Sequence, residues 1–384
     1  MFAQRLKKIA PFKVMEVLAR AGALEAAGHE VVHLEVGEPD FSTAGPILEA
    51  GRVAIAEGNT KYTAATGIMP LREKIAAHYA ELGVEVSPER IIITSGASGG
   101  LTLLAALLLN PGDEILITDP GYPCNEVFAQ LVGGVPRQIV VDSNNGFQPK
   151  ARDIQEAWTA RTKGVLLASP ANPTGTMLAS SDLRAIVDFV ATQRGFFVLD
   201  EIYQGLVRGD VYRTGLTISQ ELFILNSFSK YFGMTGWRLG WIVVPDKAID
   251  YVTRLAQNLF ICPSTPAQYA ALSAFNPETM RIHEERARQF DARCERLYEG
   301  LLALGFRIPV RPQGAFYLYV DVSHTGLTSG EFCERLLNEY FVAVTPGEDF
   351  GASGSDLYVR FAYTTSMTSI DMALDRLADA LQAW

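Results

Sequence analysis

The sequence has few cysteines, and none is spaced as a metal-binding or redox pair. Only four occur in 384 residues, and no C-x-x-C motif is present. They are Cys124, Cys262, Cys294 and Cys333. This scarcity excludes a disulfide-stapled scaffold and a cysteine zinc site, and it fits a reducing compartment. We therefore expect a cytoplasmic protein.

Long apolar runs and an excess of positive charge are also missing. The most apolar run, Leu101–Leu109, contains Thr102 and is too short to span a bilayer. The basic, mixed segment Met1–Val17 lacks the apolar core of a signal peptide. Lys and Arg number 33 against 43 Asp and Glu, a formal net charge of −10. This balance argues against nucleic acid or a membrane as a partner, since both attract clustered Lys and Arg.

Two further absences narrow the chemistry. The chain contains neither G-x-G-x-x-G nor G-x-x-x-x-G-K-[S/T], so a dinucleotide-binding fingerprint and a P-loop are absent. His29 and His33 stand four residues apart, as two ligands on one helix face would. They lead into an apolar strand, however, and we find no carboxylate or third histidine at ligand spacing. We predict structural or exposed histidines and no metal ion.

What the chain does contain is an alternation of short apolar runs with longer amphipathic ones. The apolar runs predict buried strands at Ile91–Thr94, Glu114–Thr118, Val135–Val141, Gly164–Ala168, Phe196–Leu199, Leu222–Leu225 and Leu239–Val244. Helical patterns follow most of them, as at Gly100–Leu109, Tyr122–Leu131, Ile154–Arg161 and Ser181–Gln193. The alternation predicts an α/β fold with a mainly parallel central sheet sandwiched by helices.

The pattern changes after Pro277, where a long charged helix is predicted over Glu278–Leu304. Further on, strands and helices are predicted at Ala315–Val320, Gly330–Tyr340, Leu357–Ala362 and Ile370–Ala383. This mixture indicates a smaller α+β domain. We predict a large domain over residues 46–277. The small domain would combine residues 278–384 with residues 1–45, which include a helix over Pro11–Gly28.

The densest group of reactive residues follows the strand at Leu222–Leu225. Lys230 lies there among serines, glycines and aromatics, and Arg238 stands eight residues later. A loop lysine is usually just a solvated charge. A lysine desolvated beside another cation instead has a lowered pKa and attacks carbonyls, which is Schiff-base chemistry. Ser227, Ser229 and Arg238 would supply hydrogen-bond donors for a phosphate.

Two neighbouring strand ends carry further polar residues. Asp200 would pair with the protonated nitrogen of a heteroaromatic ring, although taken alone it is more readily an acidic helix cap. Tyr203 would donate to an oxygen on that ring. The Asn172 amide would do the same from the turn Asn172-Pro173-Thr174-Gly175, in which we expect a constrained, cis bond before Pro173.

Small residues also separate a strand from a helix at Gly96-Ala97-Ser98-Gly99-Gly100. Backbone N–H groups exposed at such a helix start can hold an anion. After the next strand, Tyr122 lies in a turn and would stack on a flat ring, unless it only packs on the surface.

Together, these motifs resemble the fold-type I, class I and II aminotransferases, which use pyridoxal 5′-phosphate. The resemblance runs from about Val36 to Tyr363. It implies that the cofactor forms an aldimine with Lys230, which then carries the substrate's α-proton. It also implies that Asp200 binds the pyridine nitrogen and that Asn172 and Tyr203 donate to the ring oxygen.

The same resemblance assigns the other end of the cofactor. Tyr122 takes the place of the stacking aromatic. The implied phosphate ligands are Ala97, Ser98, Ser227 and Arg238. Tyr62, in Lys61-Tyr62-Thr63, matches the tyrosine that reaches the phosphate of a neighbouring subunit, which implies a homodimer with shared active sites.

Substrate binding is implied at two more places. Arg360, in Tyr358-Val359-Arg360-Phe361, would form a bidentate pair with the α-carboxylate, a task that suits guanidinium geometry. Gly37, in the segment Glu35–Phe41, and Asn172 would line the same carboxylate. The implied reaction moves an amino group from an α-amino acid to a 2-oxo acid in two half-reactions.

Departures from the family pattern bear on the substrate. Gly100 stands where many relatives carry a longer side chain. We find no arginine to bind a second carboxylate, since Arg281, Arg286 and Arg288 fall in the long helix and are expected to be solvated. Specificity for aspartate is therefore in doubt.

Other functions must be weighed against transamination. β-Elimination, decarboxylation and ring closure use the same cofactor, and the motifs discriminate poorly among them. A cofactor-sensing regulator would need an attached DNA-binding module, and no basic helix-turn-helix precedes Val36. The run around Ser98 also satisfies G-x-S-x-G, so an α/β-hydrolase using Ser98, Asp200 and either His283 or His324 is a further alternative.

Overall fold

The computed structural model describes residues 2–209 and 211–384. Its strands are β1 (Val32–His33), β2 (Ile91–Thr94), β3 (Glu114–Asp119), β4 (Val135–Val140), β5 (Thr162–Ala168), β6 (Phe196–Asp200), β7 (Phe223–Ser227), β8 (Gly240–Val243), β9 (Tyr317–Asp321), β10 (Val342–Ala343), β11 (Thr345–Pro346) and β12 (Tyr358–Ala362). Its α-helices are α1 (Lys13–Ala26), α2 (Gly45–Ala56), α3 (Met69–Glu81), α4 (Gly96–Leu108), α5 (Cys124–Leu131), α6 (Ala151–Ala157), α7 (Ser180–Thr192), α8 (Ile249–Leu259), α9 (Thr265–Ala271), α10 (Pro277–Ala303), α11 (Ser329–Tyr340) and α12 (Met367–Ala383).

A seven-stranded sheet forms the centre of the molecule, in the order β2-β8-β7-β6-β5-β3-β4. Strand β8 is antiparallel to both of its neighbours, and the other adjacent pairs are parallel. Parallel strands are covered by helices on both faces, which is why these segments read as continuous apolar runs. The predicted α/β fold with a mainly parallel sheet is confirmed. Two helix boundaries differ by four residues: α4 begins at Gly96 rather than Gly100, and α6 ends at Ala157 rather than Arg161, which leaves residues 158–161 as the link to β5.

A three-stranded antiparallel sheet, β11-β12-β9, lies in the carboxyl-terminal part of the chain, and β1 pairs in parallel with β10. The predicted strand at Ala315–Val320 begins two residues later than expected. Ala315 has a φ of 57°, a left-handed conformation that an extended strand cannot contain. The amino-terminal segment is joined to this part of the fold through β1, and the division into two domains stays a prediction.

The topology brings several chain segments to one edge of the large sheet. Strands β2, β3, β5, β6 and β7 run in the same direction, so the residues after their carboxyl ends meet there. Strand β8 runs the opposite way, so the residues before it arrive at the same edge. In open α/β sheets this edge is where ligands bind. Within residues 2–209 and 211–384, no helix is long and apolar enough to cross a membrane.

Gly100, the departure noted in the sequence, has a packing explanation. It lies on α4 where the helix crosses the sheet, and it is buried. A Cβ at this position would stand 2.6 Å from Cδ1 of Leu225 and 3.0 Å from Cγ2 of Ile242. The absence of a side chain therefore lets α4 approach β7 and β8 closely.

We expect Gly100→Val to lower the free energy of unfolding by about 1–3 kcal/mol, because the added methyl groups overpack this contact. Gly22→Val is the matched control, since Gly22 is an exposed helical glycine whose Cβ would meet nothing within 4 Å. It should change stability by no more than about 0.5 kcal/mol. Urea unfolding, monitored by circular dichroism, measures the free energy of unfolding of both variants. Equal effects of the two substitutions would contradict the packing argument.

Candidate active site

A cleft of about 430 Å³ lies at the edge where the strands converge. The structure brings eleven of the twelve predicted site residues together there. They are Gly37, Ala97, Ser98, Tyr122, Asn172, Asp200, Tyr203, Ser227, Lys230, Arg238 and Arg360. The twelfth, Tyr62, lies outside the cleft of its own chain and is 79% exposed.

Lys230 lies just beyond β7, with its amine in the cleft. Its Nζ donates a hydrogen bond to the backbone carbonyl of Gly37 at 2.7 Å. Burial above all, together with the nearby cations Arg360 and Arg238, lowers the pKa of this amine to about 8, against the opposing effect of nearby carboxylates. A substantial fraction of the amine is therefore neutral near physiological pH, as a nucleophile toward carbonyls must be.

Asp200 ends β6 and is almost fully buried. Its Oδ1 accepts a hydrogen bond from the backbone N–H of Ile202 at 3.1 Å. Burial raises the pKa of this carboxyl to about 7, while the Ile202 N–H and Lys230 act to lower it. A carboxylate short of partners in a buried site is stabilised by a cationic N–H group, so it suits a protonated ring nitrogen.

Asn172 and Arg360 are joined in the cleft. The Arg360 Nη1 donates to the Asn172 Oδ1 at 2.9 Å, so the amide NH₂ of Asn172 is the group left to donate to a ligand. The bond between Asn172 and Pro173 is cis, as expected from the sequence.

The Arg360 guanidinium is held from several sides on β12. Its Nη2 donates to the backbone carbonyl of Glu35 and to Oγ1 of Thr345. The rings of Tyr317 and Phe350 lie 4.4 and 4.7 Å from its central carbon. Its Nε is buried and has no hydrogen-bond partner among the described residues. This is a desolvated, oriented cation suited to a carboxylate.

Tyr317 is a cleft residue that the sequence analysis missed. Its hydroxyl shares a hydrogen bond of 2.9 Å with the hydroxyl of Tyr203. It also occupies the space beside Gly37, where a Cβ would stand 1.8 Å from the Tyr317 Oη. Tyr317 begins β9, and its register opposite Ala362 on β12 brings it to the arginine-bearing strand. No local motif signals this position.

The opposite end of the cleft is built to receive an anion. Helix α4 begins at Gly96, and Ala97 and Ser98 line the cleft at its amino terminus. Gly96 has a φ of 70°, and a Cβ there would stand 2.6 Å from Nη2 of Arg238. The guanidinium thus lies against the helix start, where N–H groups and the helix dipole favour negative charge. Ser227 adds a hydroxyl to the same cleft.

An apolar wall, also missed in the sequence, comes partly from the amino-terminal segment. Phe12 meets the ring of Tyr122 edge-on, with centroids 6.3 Å apart. Val14 and Met15 line the cleft beside it. The backbone N–H groups of residues 13 and 14 donate to the carboxylate of Asp349 at 2.9 and 3.3 Å, which holds the segment over the cleft.

The hydrolase alternative is wrong, because neither candidate histidine reaches Ser98. His283 is fully buried against the rings of Tyr231 and Phe232, and burial lowers its pKa to about 4. His324 packs edge-on against Phe306. Neither histidine lines the cleft.

One expectation about the arginines must also be corrected. Arg281 and Arg288 are exposed, as expected, but Arg286 is only partly accessible. Its guanidinium lies 5.1 Å from the ring centre of Phe41, and its Nη1 is buried without a hydrogen-bond partner among the described residues. The reason is its position on the face of α10 that covers Phe41.

The cleft can therefore bind an anion at one end, a carboxylate at the other, and a flat ring between them. Comparison with known proteins identifies the family. Residues 29–377 match the profile of the family described as "Aminotransferase class I and II". The chain belongs to this family. It is an aminotransferase, and members of the family depend in general on pyridoxal phosphate.

Relatives match along the whole chain. The (5-formylfuran-3-yl)methyl phosphate transaminase of Methanocaldococcus jannaschii is 36% identical, over 99% of this chain and 100% of its own. The aspartate aminotransferase of Geobacillus stearothermophilus is 34% identical, over 99% of both chains. The crystal structure of an aminotransferase from Mycobacterium tuberculosis superposes with a TM-score of 0.96 at 34% identity and covers 100% of both chains.

The cleft residues fit pyridoxal phosphate. The glycine-lined start of α4 and Arg238 suit its phosphate, and the partly bonded, buried Asp200 suits its pyridine nitrogen. Lys230 suits its aldehyde, because the amine is desolvated and near other cations.

The lowered pKa of Lys230 leads to a prediction for cofactor-free protein. Only the neutral amine reacts with trinitrobenzenesulfonate, so the labelling rate of Lys230 should rise with pH and reach half its maximum near pH 8. Mass spectrometry of the peptide that contains Lys230 measures this rate. In urea-unfolded protein the midpoint should return to about 10.4, the value of an unperturbed lysine. A midpoint near 10 in the folded protein would contradict the described environment.

Proposed function

We propose that Lys230 is the residue to which pyridoxal phosphate is covalently attached, and that its amine also carries the proton in amino transfer. The observation that supports this role is the convergence on one cleft of an amine, a buried carboxylate and a buried guanidinium. These are Lys230, Asp200 and Arg360. The reaction moves an amino group between an α-amino acid and a 2-oxo acid.

Bound pyridoxal phosphate would supply an electrophilic carbon and an electron-withdrawing ring. In the proposal, Asp200 keeps the ring nitrogen protonated, and Asn172 and Tyr203 donate hydrogen bonds to the ring oxygen. Tyr122 packs on the ring face. The amine of Lys230 would take the proton from the substrate α-carbon at its Nζ.

The phosphate would be held by the start of α4. In the proposal, the backbone N–H groups of Ala97 and Ser98 and the side chains of Ser227 and Arg238 are the ligands. Arg238 is the only one of these four that carries a charge, and its guanidinium already lies against Gly96. Family membership favours amino transfer over β-elimination, decarboxylation or cyclisation on the same cofactor.

The substrate end depends on Arg360, which we propose binds the α-carboxylate, with Gly37 and Asn172 alongside. The adjoining wall of Phe12, Val14 and Met15 is apolar, which supports amino donors with uncharged side chains. The two named relatives differ from each other in the substrate that their names state. The substrate must therefore be found by experiment.

We propose that the protein is a homodimer in which Tyr62 completes the partner's phosphate site. Its loop is fixed, since Oγ1 of Thr265 donates to the carbonyl of Lys61 at 2.7 Å. Tyr62 is nevertheless exposed, and so are Leu259 and Ile261 at the end of α8. Exposed apolar side chains of this size support an interface between subunits.

We also propose a cytoplasmic location. All four cysteines are free, as they would be in a reducing compartment.

Lys230→Ala is expected to abolish both the visible absorbance of the purified enzyme and its turnover, because the variant has no amine to attach the cofactor or carry the proton. Lys247→Ala is the matched control, since Lys247 is exposed and pairs with Glu221. It should retain the absorbance and activity of the wild type. The measurement is a screen of amino acids in the half-reaction, monitored by the change in visible absorbance. The same screen identifies the amino donor. Full turnover by Lys230→Ala would refute the assignment.

Tyr62→Ala is expected to weaken cofactor binding about 10- to 100-fold, as the loss of a hydrogen bond to a charged group would. A hybrid dimer of one Tyr62→Ala subunit and one Lys230→Ala subunit would contain one intact site. At limiting cofactor the hybrid should therefore show about half of the wild-type activity. Neither variant homodimer should reach this activity. Tyr251→Ala, at another exposed tyrosine, is the control for cofactor affinity. A monomeric enzyme, or a hybrid no better than Tyr62→Ala alone, would contradict the shared site.

A further inference from the structure

Three successive backbone carbonyls hold the substrate end of the cleft. The carbonyl of Glu35 accepts hydrogen bonds from Nη2 of Arg360 and from Oγ1 of Thr345. The carbonyl of Val36 accepts from Oγ1 of Thr364 at 2.8 Å. The carbonyl of Gly37 accepts from Nζ of Lys230 at 2.7 Å. The placement of the two cleft cations thus depends on the placement of residues 35–37.

The side chain of Glu35 is an unusual feature of this segment. It is 0% exposed, and its Oε2 has no hydrogen-bond partner among the described residues. Its Oε1 lies 2.7 Å from Nδ1 of His33. A buried carboxylate with a single cationic partner is stabilised mainly by that partner, and removal of the partner leaves an uncompensated charge.

His33 lies on β1, two residues before Glu35, and bridges two acidic groups. Its Nδ1 faces Glu35, and its Nε2 lies 3.2 Å from Oε1 of Glu25 on α1. Neither ion pair was predicted, because the sequence shows no carboxylate at metal-ligand spacing from this histidine. Glu25 reaches it from the last turn of α1, and Glu35 lies two residues further along the chain. They are ion-pair partners, and no cluster of three metal-ligating residues is found in the described part of the chain.

We propose that His33 is a positioning residue for substrate binding: by pairing with the buried Glu35 carboxylate, it fixes the residue whose carbonyl aims Arg360. The carbonyl that receives Arg360 and the carboxylate that receives His33 belong to the same residue, so displacement of one moves the other. This inference rests on the proposed role of Arg360 in binding the substrate carboxylate.

The ion pair has a defined pH dependence. The hydrogen bond that His33 donates to Glu35 is the main reason why the pKa of His33 is raised to about 9; partial burial opposes the shift, and Glu25 adds to it. Because the folded-state pKa is raised, the stabilisation is complete below about pH 6.5 and is lost as the pH rises through about 9. Strand β10 pairs with β1 and places the uncharged Val342 and Ala343 opposite it. Helix α12 also packs on β1 and carries Arg376, which donates to the carbonyls of Glu30 and Phe341 and lies 3.5 Å from the Glu30 carboxylate.

The test begins with His33→Ala in the holoenzyme and with the amino donor found in the half-reaction screen. The variant should raise the KM for this donor about 10-fold, while kcat stays within about twofold and the cofactor absorbance is unchanged. His29→Ala is the matched control, because His29 lies four residues away and stacks on Phe341. It should leave KM unchanged. Arg360→Ala provides the reference for the complete loss of carboxylate binding.

A double-mutant cycle shows whether His33 acts through Glu35. Glu35→Gln removes the buried charge, so His33→Ala should raise KM much less in the Glu35→Gln background than in the wild type. A merely structural role of His33 would give independent effects. His33→Gln keeps a hydrogen-bond donor and should recover part of the lost affinity, and it provides a second variant if His33→Ala does not fold.

The pH dependence of carboxylate binding is tested with 4-methylpentanoate, a carboxylate without an amino group, as a competitive inhibitor. Its inhibition constant for the wild type should rise above pH 9 and approach the His33→Ala value near pH 10. For His33→Ala it should be high at every pH from 7 to 10. A wild-type constant that does not rise, or a rise of equal size in His33→Ala, would overturn the proposal.

The outcomes separate this inference from the proposed function. If Arg360→Ala leaves KM unchanged, the proposed role of Arg360 is wrong. If Arg360→Ala raises KM but His33→Ala behaves like His29→Ala, only the positioning role of His33 is wrong. The inference is also overturned if His33→Ala lowers kcat and the cofactor absorbance without changing KM.

Discussion

The active site depends on how two cations are kept charged and oriented in a desolvated cleft. Lys230 and Arg360 both donate to backbone carbonyls of residues 35–37. A carbonyl dipole partly replaces the lost water but does not neutralise the cation, so both groups retain affinity for a ligand. If either cation were fully paired with a carboxylate of the protein, it would lose this affinity for a ligand.

The sheet explains why these residues meet at all. Parallel strands bury both faces in apolar contacts, so polar residues collect where the strands end, and the strands end at one edge. The reversed strand β8 adds Arg238 to that edge because its amino end, rather than its carboxyl end, lies there. The same reversal places the arginine beside the start of α4, so one topological feature produces the anion-binding end of the cleft.

Charge is distributed unevenly between the cleft and the rest of the protein. The chain carries a net charge of −10, yet the cleft collects Lys230, Arg238 and Arg360. Two of these, Lys230 and Arg360, are desolvated, and Asp200 is buried with them. An acidic protein with a cationic cleft attracts small anions to that cleft, because a low-dielectric wall focuses the local field.

The sequence by itself determined the sheet and the reactive residues at its strand ends. Strand periodicity and the polar residues that follow each strand are local properties, so Lys230, Asp200 and Asn172 could be found without coordinates. Only the tertiary structure decided which distant residues meet them. Tyr317, the wall from the amino terminus, the accessibility of Arg286, and the pairing of His33 with Glu35 beside Arg360 had no local motif. They depend on how α1, β1, β9, α10 and β12 pack. Apart from the pair His33–Glu35 itself, these contacts join residues more than 100 positions apart, so they follow from burial and register rather than from spacing along the chain.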